Sequence, residues 1–153
     1  MRPSRSNRRR MLGMIAVATL GARLPNAAAA DADITSALIR ELIGASPWRE
    51  GRIRLAIPQL ADTGHSVPIT IEVDSPMTAA DFVKSIHLIA PRNPRPLAAS
   101  FFLGPLAGRA SFTTRMRLAG EQEVVVIAML SDGSHDLARA SVVVTVSSCL
   151  DGT

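Results

Sequence analysis

Apolar residues fall on alternate positions in three stretches of this chain. Val67, Ile69, Ile71 and Val73 alternate with Pro68, Thr70 and Glu72. Phe112, Thr114, Met116 and Leu118 alternate with Ser111, Thr113, Arg115 and Arg117. Val142, Val144 and Val146 alternate with Ser141, Val143 and Thr145. A period of two is that of a strand with one buried face. Four further runs, at 53–57, 83–90, 97–103 and 124–130, are apolar nearly throughout and read as more deeply buried strands. Turn-forming residues separate them: Ala61-Asp62-Thr63-Gly64, Asp74-Ser75-Pro76, the Pro91 to Pro96 segment, Gly104-Pro105, Ala119-Gly120 and Ser131-Asp132-Gly133-Ser134. About seven short strands at this spacing predict an all-β fold, an immunoglobulin-like β-sandwich. With a single cysteine, an inter-sheet disulfide is impossible.

Ahead of the strands the period is helical. Ile34, Leu38 and Leu42 share one stripe, Asp33 suits the N-cap, and Gly44 stands where a helix-ending glycine belongs, so one short helix is expected over 33–44. Trp48 follows Pro47 and is expected to pack this helix against the body, with ligand stacking as the alternative.

The first 30 residues have a different character. Five arginines (Arg2, Arg5, Arg8, Arg9, Arg10) precede an apolar run at 11–20, and Ala28-Ala29-Ala30 offers a cleavage site before Asp31. The run is shorter than the ~20 residues a membrane span needs. Asn7-Arg8-Arg9-Arg10-Met11-Leu12 resembles a twin-arginine export signal, which implies a periplasmic location. The expected organisation is a signal peptide at 1–30, one sandwich domain with its helix at 31–146, and a C-terminal arm at 147–153. Removal of the leader changes the electrostatics, because it holds six of the 17 basic residues and none of the 13 acidic ones. The formal charge of +4 becomes −2, eleven against thirteen. Nucleic-acid and membrane partners lose their electrostatic support.

Candidate chemistry is sparse. His65, His87 and His135 lack ligand spacing, so no metal is expected, and no phosphate loop, serine elbow or other cofactor motif is present. Glu121 with Glu123 and Asp132 with Asp136 flank turns, where solvated carboxylates are ordinary. Arg115 and Arg117 project from one strand face, either as an anion- or partner-binding pair or as a solvated surface. The exception is Cys149, the lone thiol. In an exported protein an unpaired cysteine reads as a reactive or intermolecular thiol, the alternative being a buried small hydrophobe. Its position past the last strand, in Ser147-Ser148-Cys149-Leu150-Asp151-Gly152-Thr153, favours a thiol on a tail that reaches about 10 Å beyond the sheet.

From Ile53 to Cys149 the chain resembles the SoxY family, the sulfur-substrate carriers of the bacterial thiosulfate-oxidising Sox system. The residues that carry the resemblance are Pro58 with Ala61-Asp62-Thr63-Gly64, Val67-Pro68, Asp74-Ser75-Pro76-Met77-Thr78, Asn93-Pro94-Arg95-Pro96, Thr114-Arg115-Met116-Arg117-Leu118, Asp132-Gly133 and the terminal cysteine. The resemblance implies a non-enzymatic carrier without cofactor, heterodimeric with a SoxZ-like β-sandwich subunit, whose Cys149 holds sulfur species covalently for periplasmic Sox enzymes. The family's arm reads Gly-Gly-Cys-Gly-Gly. Here Ser147 and Ser148 stiffen it, Leu150 thickens it, and Asp151 places a negative charge near the sulfur that opposes thiolate formation and repels anionic sulfur species. A subunit that kept the sandwich and its partner surface without carriage is the alternative. A thiol redox protein ranks below both, because no Cys-x-x-Cys exists.

Overall fold

The computed structural model describes residues 27–146. In chain order the elements are α1 (Ala27–Ile43), β1 (Trp48–Arg49), β2 (Ile53–Ala56), β3 (Leu60–Thr63), β4 (Val67–Val73), β5 (Val83–Ile89), β6 (Leu97–Phe102), β7 (Ala110–Met116), β8 (Gln122–Leu130) and β9 (His135–Val146), with a short 3₁₀ turn at Pro105–Ala107. They stack as the expected two-sheet, immunoglobulin-like sandwich. One sheet is antiparallel in the order β2-β4-β7; the other runs β1-β9-β8-β5-β6, with β3 added beside β9.

Between the sheets lies the main core. Val67, Ile69, Ile71 and Val73 of β4 meet Ile86 and Leu88 of β5 and Val124, Val126 and Ala128 of β8, with Leu118 and Val142 closing the ends. The alternation in β4 follows directly, since its other face carries Pro68 and half-buried Thr70 and Glu72. Strand β8 does not alternate because both of its faces are buried. Its even residues enter the main core, while Val125 and Ile127 pack with Ile89, Leu137 and Ile43 of α1 in a second cluster. The helix therefore lies on the outer face of the larger sheet.

Helix α1 departs from expectation at its start. Asp33 lies inside the helix rather than at its N-cap, and the first turn is Ala27–Ala30, residues assigned by sequence to the leader. Alanine has the highest helix propensity, so nothing in this run interrupts the helix. The contact stripe is also rotated: Thr35, Leu38, Ile39, Leu42 and Ile43 face the sheet and Ile34 faces solvent. The end is as expected, with Gly44 at φ +64° donating its N–H to the Arg40 carbonyl at 2.9 Å.

Strands β1 and β3 are the additions. Both pair parallel with β9, which at 12 residues outruns its antiparallel partner β8 and begins at His135 rather than near 141. Trp48 sits in β1 and stays 40 % exposed, with the Arg139 guanidinium 5.9 Å from its ring centre. It is a half-covered edge residue and not the anchor of α1.

Candidate functional site

Cys149 and the arm residues Ser147, Ser148, Leu150, Asp151 and Gly152 lie outside the described residues, but the root of the arm does not. Strand β9 is held to Val146 by parallel pairing with β3: Leu60 opposite Val143, Ala61 opposite Val144 and Thr63 opposite Val146. The Gly64 N–H donates to the Val146 carbonyl at 2.8 Å, and the Gly64 carbonyl accepts from Leu118 N–H at 2.8 Å. Gly64 is thus a backbone rivet between the end of β9 and the end of β7. A Cβ there would run into the Leu118 carbonyl and lie 3.2 Å from Val144 Cγ1, which is why the position requires glycine. The sequence reading took Ala61-Asp62-Thr63-Gly64 as a turn; it is an edge strand, β3, ending on this contact. Leu60, Val143 and Val146 leave an apolar fringe exposed around the root.

The same end of the sandwich carries the loop at 90–96 and the segment at 117–121. Register fixes this, since Val67 pairs with Met116, Ile89 with Leu97 and Gln122 with Val142. Asn93 joins the two segments. Its Nδ2 donates to the Arg117 carbonyl at 2.8 Å, and its Oδ1 accepts from Ala119 N–H at 2.9 Å and Gln122 Nε2 at 3.2 Å. Beside this clamp, where β6 and β7 leave the two sheets open, lies a groove of about 640 Å³. Arg95, Arg115 and Arg117 line it together with Asn93 and Thr114, over Leu88, Ala99, Phe101 and Met116. No carboxylate lines the groove. Arg52, Arg54, Arg92 and Arg139 are each paired with Asp81, Glu72, Asp31 and Glu123 elsewhere. Arg115 reaches Ser66, its Nη1 lying 3.3 Å from the hydroxyl and 3.4 Å from the carbonyl. Sequence reasoning found Arg115 and Arg117 but missed Arg95, which comes from a loop distant in sequence; its place in the Asn-Pro-Arg-Pro motif was the available signal.

The remaining candidates do not converge. His65 is exposed, while His87 and His135 are buried at separate places on the larger sheet, and no group of metal-ligating side chains occurs among the described residues. The His87 ring nitrogens bond the hydroxyls of Ser100 (Nδ1, 2.8 Å) and Ser85 (Nε2, 3.0 Å), and burial lowers its pKa, favouring the neutral ring. Of the carboxylates, Glu123 pairs with Arg139, and Asp132 accepts from the Ser134 hydroxyl and N–H, bonds that lower its pKa. Asp136 is not the solvated turn residue expected. It is 2 % exposed, its Oδ1 accepts the Arg52 N–H at 3.3 Å, and its Oδ2 has no partner among the described residues. No described helix is long and apolar enough to cross a membrane.

Comparison with known proteins matches this architecture to one family. The family model described as sulfur oxidation protein SoxY covers residues 39–149, ending on the cysteine. The structure of the sulfur carrier protein SoxY from Chlorobium limicola f thiosulfatophilum is similar with a TM-score of 0.63 and 28 % identity, over 75 % of this chain and 99 % of that one. A superoxide reductase (neelaredoxin) from Ignicoccus hospitalis, 15 % identical over 61 % of this chain and 80 % of that one at a TM-score of 0.54, shares the fold alone. No curated protein matches the sequence. A family match across most of the chain, on a sandwich whose last strand leads into the matched cysteine, places this chain in the SoxY family.

Proposed function

We propose that the chain is a periplasmic carrier that holds sulfur intermediates covalently on Cys149 and presents them to partner enzymes during thiosulfate oxidation. The observation that carries this reading is the family match running through to Cys149, on a chain in which that thiol is the sole cysteine. The anchored end of β9 supports it. With Val146 pinned through Gly64, only the short segment beyond it is left to carry the thiol outward, about 10 Å at full extension. Loading forms a sulfur–sulfur bond: the Cys149 thiolate and thiosulfate combine to Cys–S–S–SO₃⁻ and release two electrons, which a redox partner must accept. The carrier supplies the nucleophile and the partner the oxidant.

Export by the twin-arginine route belongs to the same reading. Cleavage after Ala30 leaves Asp31 first, and its carboxylate holds Arg92 Nε at 2.7 Å. A SoxZ-like sandwich is the proposed partner subunit, and the exposed apolar fringe of Leu60, Val143 and Val146 supports a contact beside the arm root.

The test is reconstitution: thiosulfate-dependent electron release by Sox enzymes with this chain and its partner subunit, against Cys149→Ala. Activity lost only in the variant supports carriage. Equal activity of both proteins would leave the chain a structural subunit that kept the sandwich and its partner surface without carriage.

A further inference from the structure

We infer that the folded chain guards its own processing site: the leader is removed only from a locally opened form, in which the start of α1 has unwound and Asp31 has left Arg92. The inference rests on the cleavage after Ala30 proposed above and adds the conformational step that must come before it.

Cleavage adds water across the Ala30–Asp31 amide and leaves a carboxylate on Ala30 and an ammonium on Asp31. In the folded chain this amide lies inside α1, which runs unbroken from Ala27 to Ile43. Helical geometry commits both of its polar groups. The Asp31 N–H donates to the Ala27 carbonyl, and the Ala30 carbonyl accepts from the Ile34 N–H. A peptidase takes its substrate as an extended segment, and its oxyanion donors must reach the carbonyl under attack. A helical amide offers neither.

The residue just after the scissile bond is also fastened to the body. The Asp31 carboxylate holds Arg92 Nε at 2.7 Å, with the two side chains 20 % and 35 % exposed, and the Asp31 carbonyl accepts the hydroxyl of buried Thr35 at 2.8 Å. Arg92 is held in turn, since its N–H donates to Gln122 Oε1 at 3.0 Å. Beneath these contacts Asp31 and Ala32 face Gln122 and Arg139 across a cavity of about 340 Å³. The apolar residues that pack α1 on the sheet begin only at Leu38. Polar contacts, more than packing, therefore hold the start of the helix in place.

Charge marks the same turn as the one that opens. No acidic residue stands in Ala27–Ala30, the first turn of α1. Asp31 and Asp33 enter the first turn only when cleavage has moved the start of the helix, and there the macrodipole favours their carboxylates. Unwinding through Asp31 leaves the contacts from Leu38 onward intact, so the opening is local and the sandwich stays folded.

The test treats the folded full-length precursor with purified signal peptidase and follows the product by intact mass. Arg92→Gln removes the fastening without altering the cleaved segment, and should be processed about threefold faster, as loss of one partly exposed ion pair allows. Arg92→Lys keeps the charge and should fall between the two. Raising the salt should bring the native rate toward that of Arg92→Gln. Ala29→Gly, at the middle position of the Ala-x-Ala site, weakens the first turn and should also be processed about threefold faster. A product that begins at Asp31 and forms at one rate from the native precursor, Arg92→Gln and Ala29→Gly would overturn the inference while the cleavage site stands. A product with another first residue, or no cleavage, would remove the proposed site and the inference with it.

Discussion

Replacing Gly64 by alanine tests whether the arm is rooted as described. The residue is buried, and its φ lies outside the positive range, so alanine meets no intrinsic backbone penalty there. The cost comes from one contact, the new methyl group against the Leu118 carbonyl, with Val144 Cγ1 blocking a sideways escape. Overfilling a packed site costs about 1–3 kcal/mol. Moving the backbone apart to relieve it weakens the bonds from Gly64 to Val146 and from Leu118 to Gly64, each worth about 0.5–1.5 kcal/mol. A total near 3 kcal/mol, divided by a urea m-value of about 2 kcal/mol/M, lowers the unfolding midpoint by about 1.5 M at unchanged m. Gly133→Ala is the control: its φ is +82° with nothing within 4 Å, so only backbone strain of about 1–2 kcal/mol is expected. Amide hydrogen exchange should also show Gly64→Ala loosening β3 and the end of β9 first. A shift for Gly64→Ala smaller than for Gly133→Ala, or unchanged exchange at 60–64 and 142–146, would refute the close-approach reasoning.

Further outcomes follow from the same structure. Asn93→Ala removes three bonds and strands the Ala119 N–H, so thermal or urea unfolding should show a loss of about 1–3 kcal/mol, which Asn93→Asp recovers only in part because it cannot donate to the Arg117 carbonyl. Ile127→Ala empties the cluster under α1 and should cost about 2–5 kcal/mol while exposing helix amides to exchange; a loss below 1 kcal/mol would contradict the packing of α1 on this sheet. For His87, burial lowers the folded pKa below the ordinary 6.5, so the unfolded chain binds more protons between the two values. Stability is then full above the ordinary value and falls as the pH drops toward the folded one, and a flat urea midpoint between about pH 7 and pH 5.5 would contradict this. Restoring Ser147, Ser148 and Leu150 to glycine should raise turnover with a standard Sox system, and unchanged turnover would count against the stiffening ascribed to the arm.

What could be read from the chain divides along physical lines. Strand β4 was legible because one of its faces is wet, which writes the fold into alternate residues. Strand β8 was legible as a strand but not in its burial, since the apolar odd residues Val125 and Ile127 await a helix that no local pattern pairs with them. Strand β3 was missed for a related reason. Ala61-Asp62-Thr63-Gly64 has turn composition, and it becomes a strand only because β9 extends far enough to receive it. Asp33 is a good cap by type, yet the alanines before it continue the helix at no cost. Asp136 next to a Gly-Ser turn looked solvated, and its burial beside Arg52 is a tertiary fact. Cys149 was visible at once as the single thiol. The arginine groove was not, because Arg95 joins Arg115 and Arg117 only after Asn93 clamps its loop to the end of β7.

The most direct measurement is the intact mass of the protein isolated from its own periplasm during thiosulfate oxidation, before and after a thiol reductant, beside Cys149→Ala. Carriage predicts mass increments of sulfur or sulfonate units on the mature chain that the reductant removes and the variant lacks. An unmodified thiol under active oxidation would contradict it.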